Sequence, residues 1–321
     1  MPTRRRALLV LLSLIVASAA SLALAVAVGA VAVDWSSALS RQVVFELRLP
    51  RALAAFACGG LLALAGALMQ VLLRNPLADP YVLGVSGGAS VGALLAILLG
   101  LAGLAVPGLA FAGALAAMLL VFGIAHGDGS WTQTRLLLTG VVVAAGCGAV
   151  VALILTLAPE QKLQGMLFWL MGDLSQANQG LDPLALLAVL FVALAATLPF
   201  ARELNLLARS FDAAMALGVA VPFLRRMIYV VASLATAIAV TTAGAIGFVG
   251  LIVPHLVRLA IGMNMGNDQR LLLPASVLAG GSLLVLADTL AHTIAAPVQL
   301  PVGVLTALIG VPVFLYLLGR R

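Results

Sequence analysis

The sequence predicts an all-α membrane protein, a single transmembrane domain over residues 1–321 with ten transmembrane helices and both termini cytoplasmic. Three observations lead there. Hydrophobic residues make up 64% of the chain and charged residues 9%, against about 25% charged in a soluble domain. Mean hydropathy is +1.21, so too little polar surface exists to cover a water-soluble globule, and lipid must solvate most of it. Ten apolar runs follow one another, and 32 glycines favour close-packed helices over a barrel, whose strands would alternate polar and apolar residues. Thirteen of the 17 basic residues fall on the side of the termini, and only Arg41, Arg48, Arg51 and Lys162 on the other. The positive-inside rule makes the richer side cytoplasmic.

The first run, about 7–33, follows Arg4, Arg5 and Arg6. It is longer than the ~7–15 residues of a signal-peptide core, and reads as a first transmembrane helix. The next runs cover about 50–73, 82–103, 107–125, 135–157, 183–200, 224–246, 247–262, 271–294 and 302–318. Pro80, Pro107, Pro183, Pro222, Pro274 and Pro301 suit helix starts, where proline sacrifices no hydrogen bond. The eighth run follows the seventh without a polar gap and holds Gly247, Gly250 and Pro254, so a broken or tightly turned helix is expected there. Two connections are longer than turns. Residues 158–182 are expected outside, with 166–173 as an interfacial helix. Residues 201–223 are expected inside, as a short amphipathic segment too polar to span and available to a partner.

The same composition excludes a disordered chain, a secreted disulfide scaffold and a nucleic-acid binder; the net charge of +6 is small for this length. Cys58 and Cys147 lie in apolar runs and read as packing residues. No His/Cys/Asp cluster has metal-ligand spacing, so no metal or cofactor is expected. A P-loop needs a lysine on the phosphates, and the only lysine, Lys162, is on the outer side; this chain is not expected to be an enzyme. Any ATPase must be another subunit. An ion-coupled secondary carrier would keep carboxylates near the midplane; Asp288 is the clearest intramembrane carboxylate, with His255 and His292 as other titratable candidates. Gly84-Val85-Ser86-Gly87 matches the Gly-x-Ser-Gly of intramembrane serine proteases, but the pattern is weak in a chain with 32 glycines, and a Gly/Ser-rich helix start that allows close packing is the preferred reading. No catalytic constellation emerges.

Several strings are more specific: Arg48-Leu49-Pro50-Arg51, GALMQ at 66–70, NPLADP at 75–80, LGVSGG at 83–88, TRLLLTG at 134–140, GAIGFVGLIVPHLVR at 244–258 and QLPVGVLTALIG at 299–310. In this order they resemble the FecCD-type permease family, membrane subunits of ABC importers for iron-siderophores, haem and cobalamin. The resemblance implies inverted repeats of helices 2–5 and 7–10. It also implies a second permease copy with the path between the two, two ATP-binding subunits below, and a periplasmic substrate-binding protein above.

It implies residue roles too. Arg48 and Arg51 resemble rim arginines that meet acidic residues of the binding protein, although plain interfacial anchoring suits them as well; a further rim arginine of some members has no counterpart in 292–299. Asn75, Pro76 and Leu77 match a cytoplasmic gate, and Gln133 and Thr134 a second gate layer, where glutamine departs from the family's small hydroxyl residues. Turn and capping chemistry suits both sets equally. Asp212, Ala213, Ala214 and Gly218 resemble the Glu-Ala-Ala-x-x-x-Gly segment that couples ABC permeases to their ATPase, with Asp in place of Glu. The expected cargo is a ferric siderophore or cobalamin, with haem ranked behind them.

Overall fold

The computed structural model of the chain describes residues 4–29, 36–126, 132–175, 181–262 and 267–319. Residues 30–33 of the first expected span, 176–180 of the outer connection and Arg320 and Arg321 lie outside the described residues. Among the described residues there is no strand. The helices are α1 (Arg4–Ala27), α2 (Ala38–Val43), α3 (Leu49–Leu72), α4 (Val85–Leu98), α5 (Ala105–Ala125), α6 (Gln133–Leu157), α7 (Glu160–Met171), α8 (Pro183–Thr197), α9 (Ala201–Arg209), α10 (Phe211–Ala216), α11 (Val221–Ala243), α12 (Val249–Ile261), α13 (Gln269–Thr293) and α14 (Val302–Gly319). A π-helical stretch, Val44–Arg48, joins α2 to α3.

Among the described residues, seven helical stretches are long and apolar enough to cross a membrane, two of them composite (38–72 and 183–209); α4, α12 and most of α14 are apolar but shorter. The run expected over 82–103 is helical only from Val85 to Leu98, ~21 Å of rise against the ~30 Å hydrocarbon thickness. Its start is set by Gly84, at φ 75, after a 3-10 turn Pro80–Leu83 capped by Asp79. Its last turn is capped by the chain's one lysine, Lys162, whose Nζ donates to the Leu98 carbonyl at 2.8 Å. The eighth run is also shorter than expected. Residues 244–248 are not helical, and α12 begins only after Phe248, at φ 69. The two interruptions meet: Tyr81 Oη donates to the Ile246 carbonyl at 2.8 Å. Short helices that start at left-handed residues therefore recur, as the helix after α3 and the helix after α11. Non-helical backbone at such depth is tolerated where protein, not lipid, satisfies it.

α3 is the axis of the bundle. Nearly all of α3 is buried, whereas α6 buries only Leu136, Gly140 and Ile154, and α3 packs against α8, α11, α12 and α13. Small residues allow it. A Cβ on Gly66 would overlap the Gly250 carbonyl of α12, and one on Gly59 the Gly280 carbonyl of α13. The α4–α5 crossing is built likewise, Gly88 against Gly113. Within a bilayer, where burial of apolar surface does not drive helices together, such close backbone approach supplies the van der Waals contact that does. The Gly/Ser pattern around Ser86 serves this packing; Ser86 is buried and its carbonyl accepts from the Ser90 hydroxyl.

The bundle has two ends. The last turn of α1 meets Arg48, α14 begins beside Gly172, and both sit with the N-terminal end of α3. α6 begins, and α9 and α10 lie, at the C-terminal end of α3. α1 therefore begins and α14 ends at the α9–α10 end. The placement of that end in the cytoplasm has a direct test. With Cys58 and Cys147 replaced, single cysteines in 201–223 are expected to label only from the cytoplasmic side, and those in 160–171 only from outside. External labelling within 201–223 would contradict ten spans.

Candidate functional site

The functional candidates gather at the two ends. At the α9–α10 end, α3 finishes at Leu72 and the chain turns sharply. Arg74 adopts φ 45. The Asn75 side chain accepts from the Leu77 N–H at 3.0 Å, an Asx turn. Thr132 N-caps α6 by accepting from the Arg135 N–H at 3.2 Å. Gln133 bridges the two: its Oε1 accepts from Arg74 Nη2 at 3.3 Å and its Nε2 donates to the Leu72 carbonyl at 3.0 Å. Asn75, Pro76, Leu77 and Gln133 are thus brought together, with Thr134 exposed beside them. The departure at Gln133 has a structural use, since a small hydroxyl residue would not reach both partners. Burial lifts the Asp79 carboxyl to about 6, against the opposing hydrogen bond from the Tyr81 N–H.

The expected amphipathic segment is two helices. α9 buries Leu204 and Leu207 and exposes Arg202 and Arg209. Asn205 ties it to the start of α13, donating to Asp268 Oδ1 at 2.9 Å and accepting from the Gln269 N–H at 2.8 Å. Ser210, extended at φ −161 and ψ 136, breaks the helix. Its hydroxyl caps α10 by accepting from the Ala213 N–H at 3.3 Å. α10 ends on Gly218, at φ 79, with Gly218 N–H donating to the Met215 carbonyl and Val219 N–H to the Ala214 carbonyl, a complete Schellman closure. Nothing lies within 4 Å of a Cβ built on Gly218, so this glycine is needed for its backbone conformation and not for space. Ala214 is buried within the chain, whereas Asp212 and Ala213 are exposed, as are Met215 at 51% and Leu217 at 68%. α10 presents a small, rigid, apolar tip.

A cavity of about 540 Å³ opens at this end between Gln70, Arg74 and Arg258 on one wall and Asn205, Arg209 and Asp268 on the other. Gln70 joins α3 to α12: its Nε2 donates to the Leu251 carbonyl at 3.1 Å, and its Oε1 accepts from Arg258.

At the opposite end, Arg51 reaches across the bundle to Asp288. Its Nε and Nη2 donate to the two carboxylate oxygens at 2.8 and 2.9 Å, and Nη1 donates to Gln299 Oε1 at 3.2 Å. The bidentate fork suits a guanidinium. Asp288 is only 4% exposed, and His292 Nδ1 lies 2.6 Å from its backbone carbonyl. Arg48 donates to the carbonyls of Val26 and Ala27, closing the C-terminus of α1. The clearest intramembrane carboxylate is therefore held by a fixed counter-charge, an arrangement for structure more than for a mobile ion. A second cavity of about 570 Å³ lies at this end, with Gln161, Gln164, Phe168, Trp169, Asp173 and Gln299 in its wall.

Sequence reasoning missed Asp288 as the partner of Arg51, the Gln70–Arg258 link, and the aromatic residue that opens α10. The motif strings held Gln70 and Arg258, but the pairing across 188 residues carries no local signature.

Comparison with known proteins fits this arrangement. The FecCD transport family profile matches residues 7–320. The cobalamin import system permease protein BtuC of Halobacterium salinarum is 45% identical over 283 residues, covering 88% of this chain and 74% of its own length. The vitamin B12 import system permease protein BtuC of Salmonella typhimurium is 40% identical over 290 residues, covering 89% and 86%. A solved metal-chelate type ABC transporter in an inward-facing conformation superposes with a TM-score of 0.83 at 30% identity, covering 98% of this chain and all of that one. PsaBC of Streptococcus pneumoniae, solved with a Fab, shares the fold at a TM-score of 0.56 and 18% identity, covering 86% and 92%. This multi-pass membrane protein belongs to the FecCD transport family, as the permease subunit of an ABC importer.

Proposed function

We propose that the chain carries a corrinoid of the cobalamin type inward across the cytoplasmic membrane, as one of two identical permease copies. The observation that carries the cargo assignment is the likeness, over nearly nine-tenths of the chain, to permeases named for cobalamin import. Pockets for drug-sized ligands run from about 300 to 1,000 Å³. The two cavities, about 540 and 570 Å³, fall within that range but lie at opposite ends of the bundle and share no lining residue, which supports a path completed by the second copy.

In this reading Asp212, Ala213 and Gly218, with the tip residues Met215 and Leu217, dock the ATP-binding subunit, and Ala214 packs the helix from beneath. Asn75, Pro76, Leu77, Gln133 and Thr134 form the cytoplasmic constriction. Arg48 and Arg51 line the outer rim that meets a periplasmic binding protein, Arg48 as a positive charge and Arg51, neutralised by Asp288, as a support that holds the rim in place. Alternating closure of the two ends moves the cargo. A ferric siderophore is the second reading, favoured by the metal-chelate type transporter that superposes on this chain.

Uptake of labelled cobalamin by vesicles holding the complete importer decides between the two. Unlabelled cobalamin in hundredfold excess is expected to abolish the signal, and a ferric hydroxamate to leave it unchanged. Competition by the ferric chelate alone, or no cobalamin uptake, would contradict the corrinoid assignment.

A further inference from the structure

Phe211, the first residue of α10, has two guanidinium groups over its ring. Arg74 Cζ lies 4.5 Å and Arg225 Cζ 5.1 Å from the ring centroid. The three residues come from three elements: the turn after α3, the first turns of α11, and α10 itself. Cations are attracted to an aromatic face, and without the ring two like charges would face each other. Arg74 is set for this contact by an uncommon backbone. At φ 45 it occupies the left-handed region that non-glycine residues seldom adopt, and such a conformation persists where the surroundings hold it.

Arg74 also reaches further. Its Nη2 donates to Gln133 Oε1 at 3.3 Å, and Gln133 Nε2 donates to the Leu72 carbonyl at 3.0 Å. One side chain thus joins the ring of α10 to the turn bearing Asn75 to Leu77 and to the first turn of α6. Those are the two layers of the constriction. The backbone of α10 rests chiefly on α9 and α11, and the Phe211 ring adds a contact to Arg74 in the turn after α3. Arg225 brings in α11, which packs along α3.

We propose that the Phe211 ring, gripped by Arg74 and Arg225, is the link through which movement of the docked α10 reaches the gate residues at 75–77 and 133–134. The proposal rests on the reading of α10 as the ATPase docking helix. Phe211 is a positioning residue: it touches neither cargo nor nucleotide, and acts by holding the arginine that holds the gate. A stiff, capped helix of six residues transmits a push only if something at its end is gripped, and the ring is what is gripped.

The test uses the permease–ATPase complex with spin labels at Leu77→Cys, in a background lacking Cys58 and Cys147. The distance between the labels of the two copies is measured with and without ATP. The unmodified background and Phe211→Tyr, which keeps the ring, are expected to show a nucleotide-dependent shift. In Phe211→Leu, with similar bulk and no ring face, the population that shifts is expected to fall about tenfold. Arg74→Gln, which removes the cation and leaves the ring, is expected to fall likewise, and decides the matter where Phe211→Leu does not assemble. A wild-type shift in Phe211→Leu or Arg74→Gln, an equal loss in Phe211→Tyr, or no shift in the unmodified background overturns the proposal. The docking reading fails separately, if Leu217→Asp leaves co-purification of the ATPase subunit at the wild-type level.

Discussion

Replacing Gly66 with leucine is expected to remove most of the folded permease from the membrane. Gly66 sits where α3 crosses α12, and even a Cβ there would overlap backbone atoms of Gly250. Backbone cannot swing aside as the end of a flexible side chain does. α12 is also confined where Gly250 faces Pro80 and the Leu62 carbonyl of α3, and along its length by the Gln70–Arg258 pair. Overpacking costs about 1–3 kcal/mol where neighbours adjust, and here the neighbours are an axis helix and a short helix started at a left-handed residue. The yield of monodisperse protein after detergent extraction is the readout. Gly66→Ala should lower it, and Gly66→Leu should lower it far more. Gly123→Leu, with nothing within 4 Å of the added atom, should leave it near the wild-type level. Equal yields for Gly66→Leu and Gly123→Leu would mean that the α3–α12 crossing is looser than described.

The second large effect is expected at Asp288. Converting it to alanine leaves the Arg51 guanidinium with a hydrogen bond to Gln299 and only the more distant Asp173 carboxylate as opposite charge at the outer end of the bundle. Removing one partner of a buried ion pair costs about 3–5 kcal/mol, mostly from the charge left behind. Arg51 keeps 18% of its side chain exposed, which allows some rehydration and places the effect toward the lower figure. Arg51→Glu should be worse, because it sets two carboxylates against each other. The double replacement Arg51→Met with Asp288→Leu should recover much of the thermal midpoint, since apolar side chains of like volume often replace a buried pair without loss. Additive losses in the double variant would contradict the pairing. Arg51→Glu is for the same reason a poor probe of binding-protein docking. Arg48→Glu, read as association rate at two ionic strengths, separates docking from folding.

Much of this was legible in the sequence because it is local. Hydropathy places helices, since each apolar run is a property of neighbouring residues. Gly218 reads as a helix end because its left-handed φ is a demand that one residue type meets. Pro183 after Asp182 reads as a helix start, and the structure shows the Asp182 carboxylate accepting from the Leu184 N–H. The shortening of α4 and α12 was less legible. A window average over 82–103 or 247–262 reports composition, which does not change where Gly84 or Phe248 turns the chain. Phe211 and Arg74 were unreadable for a different reason: an aromatic residue beside a charged segment looks like any interfacial anchor until two arginines from other elements are placed over it. Arg51 illustrates the same limit. Its motif marked it as a residue of the rim, while the partner that fixes its geometry is 237 positions away.

The measurement that bears most directly on the account is the energy source of transport. The complete importer, with its ATP-binding subunit and binding protein, is placed in proteoliposomes with ATP on the side that faces α10. Cargo uptake is followed while proton and sodium gradients are collapsed. The account predicts uptake that requires hydrolysable ATP, persists without any gradient, and is lost in Leu217→Asp together with binding of the ATPase subunit. Uptake that proceeds without ATP and stops when a gradient is dissipated would contradict it, and would return Asp288 and His292 to consideration as an ion path.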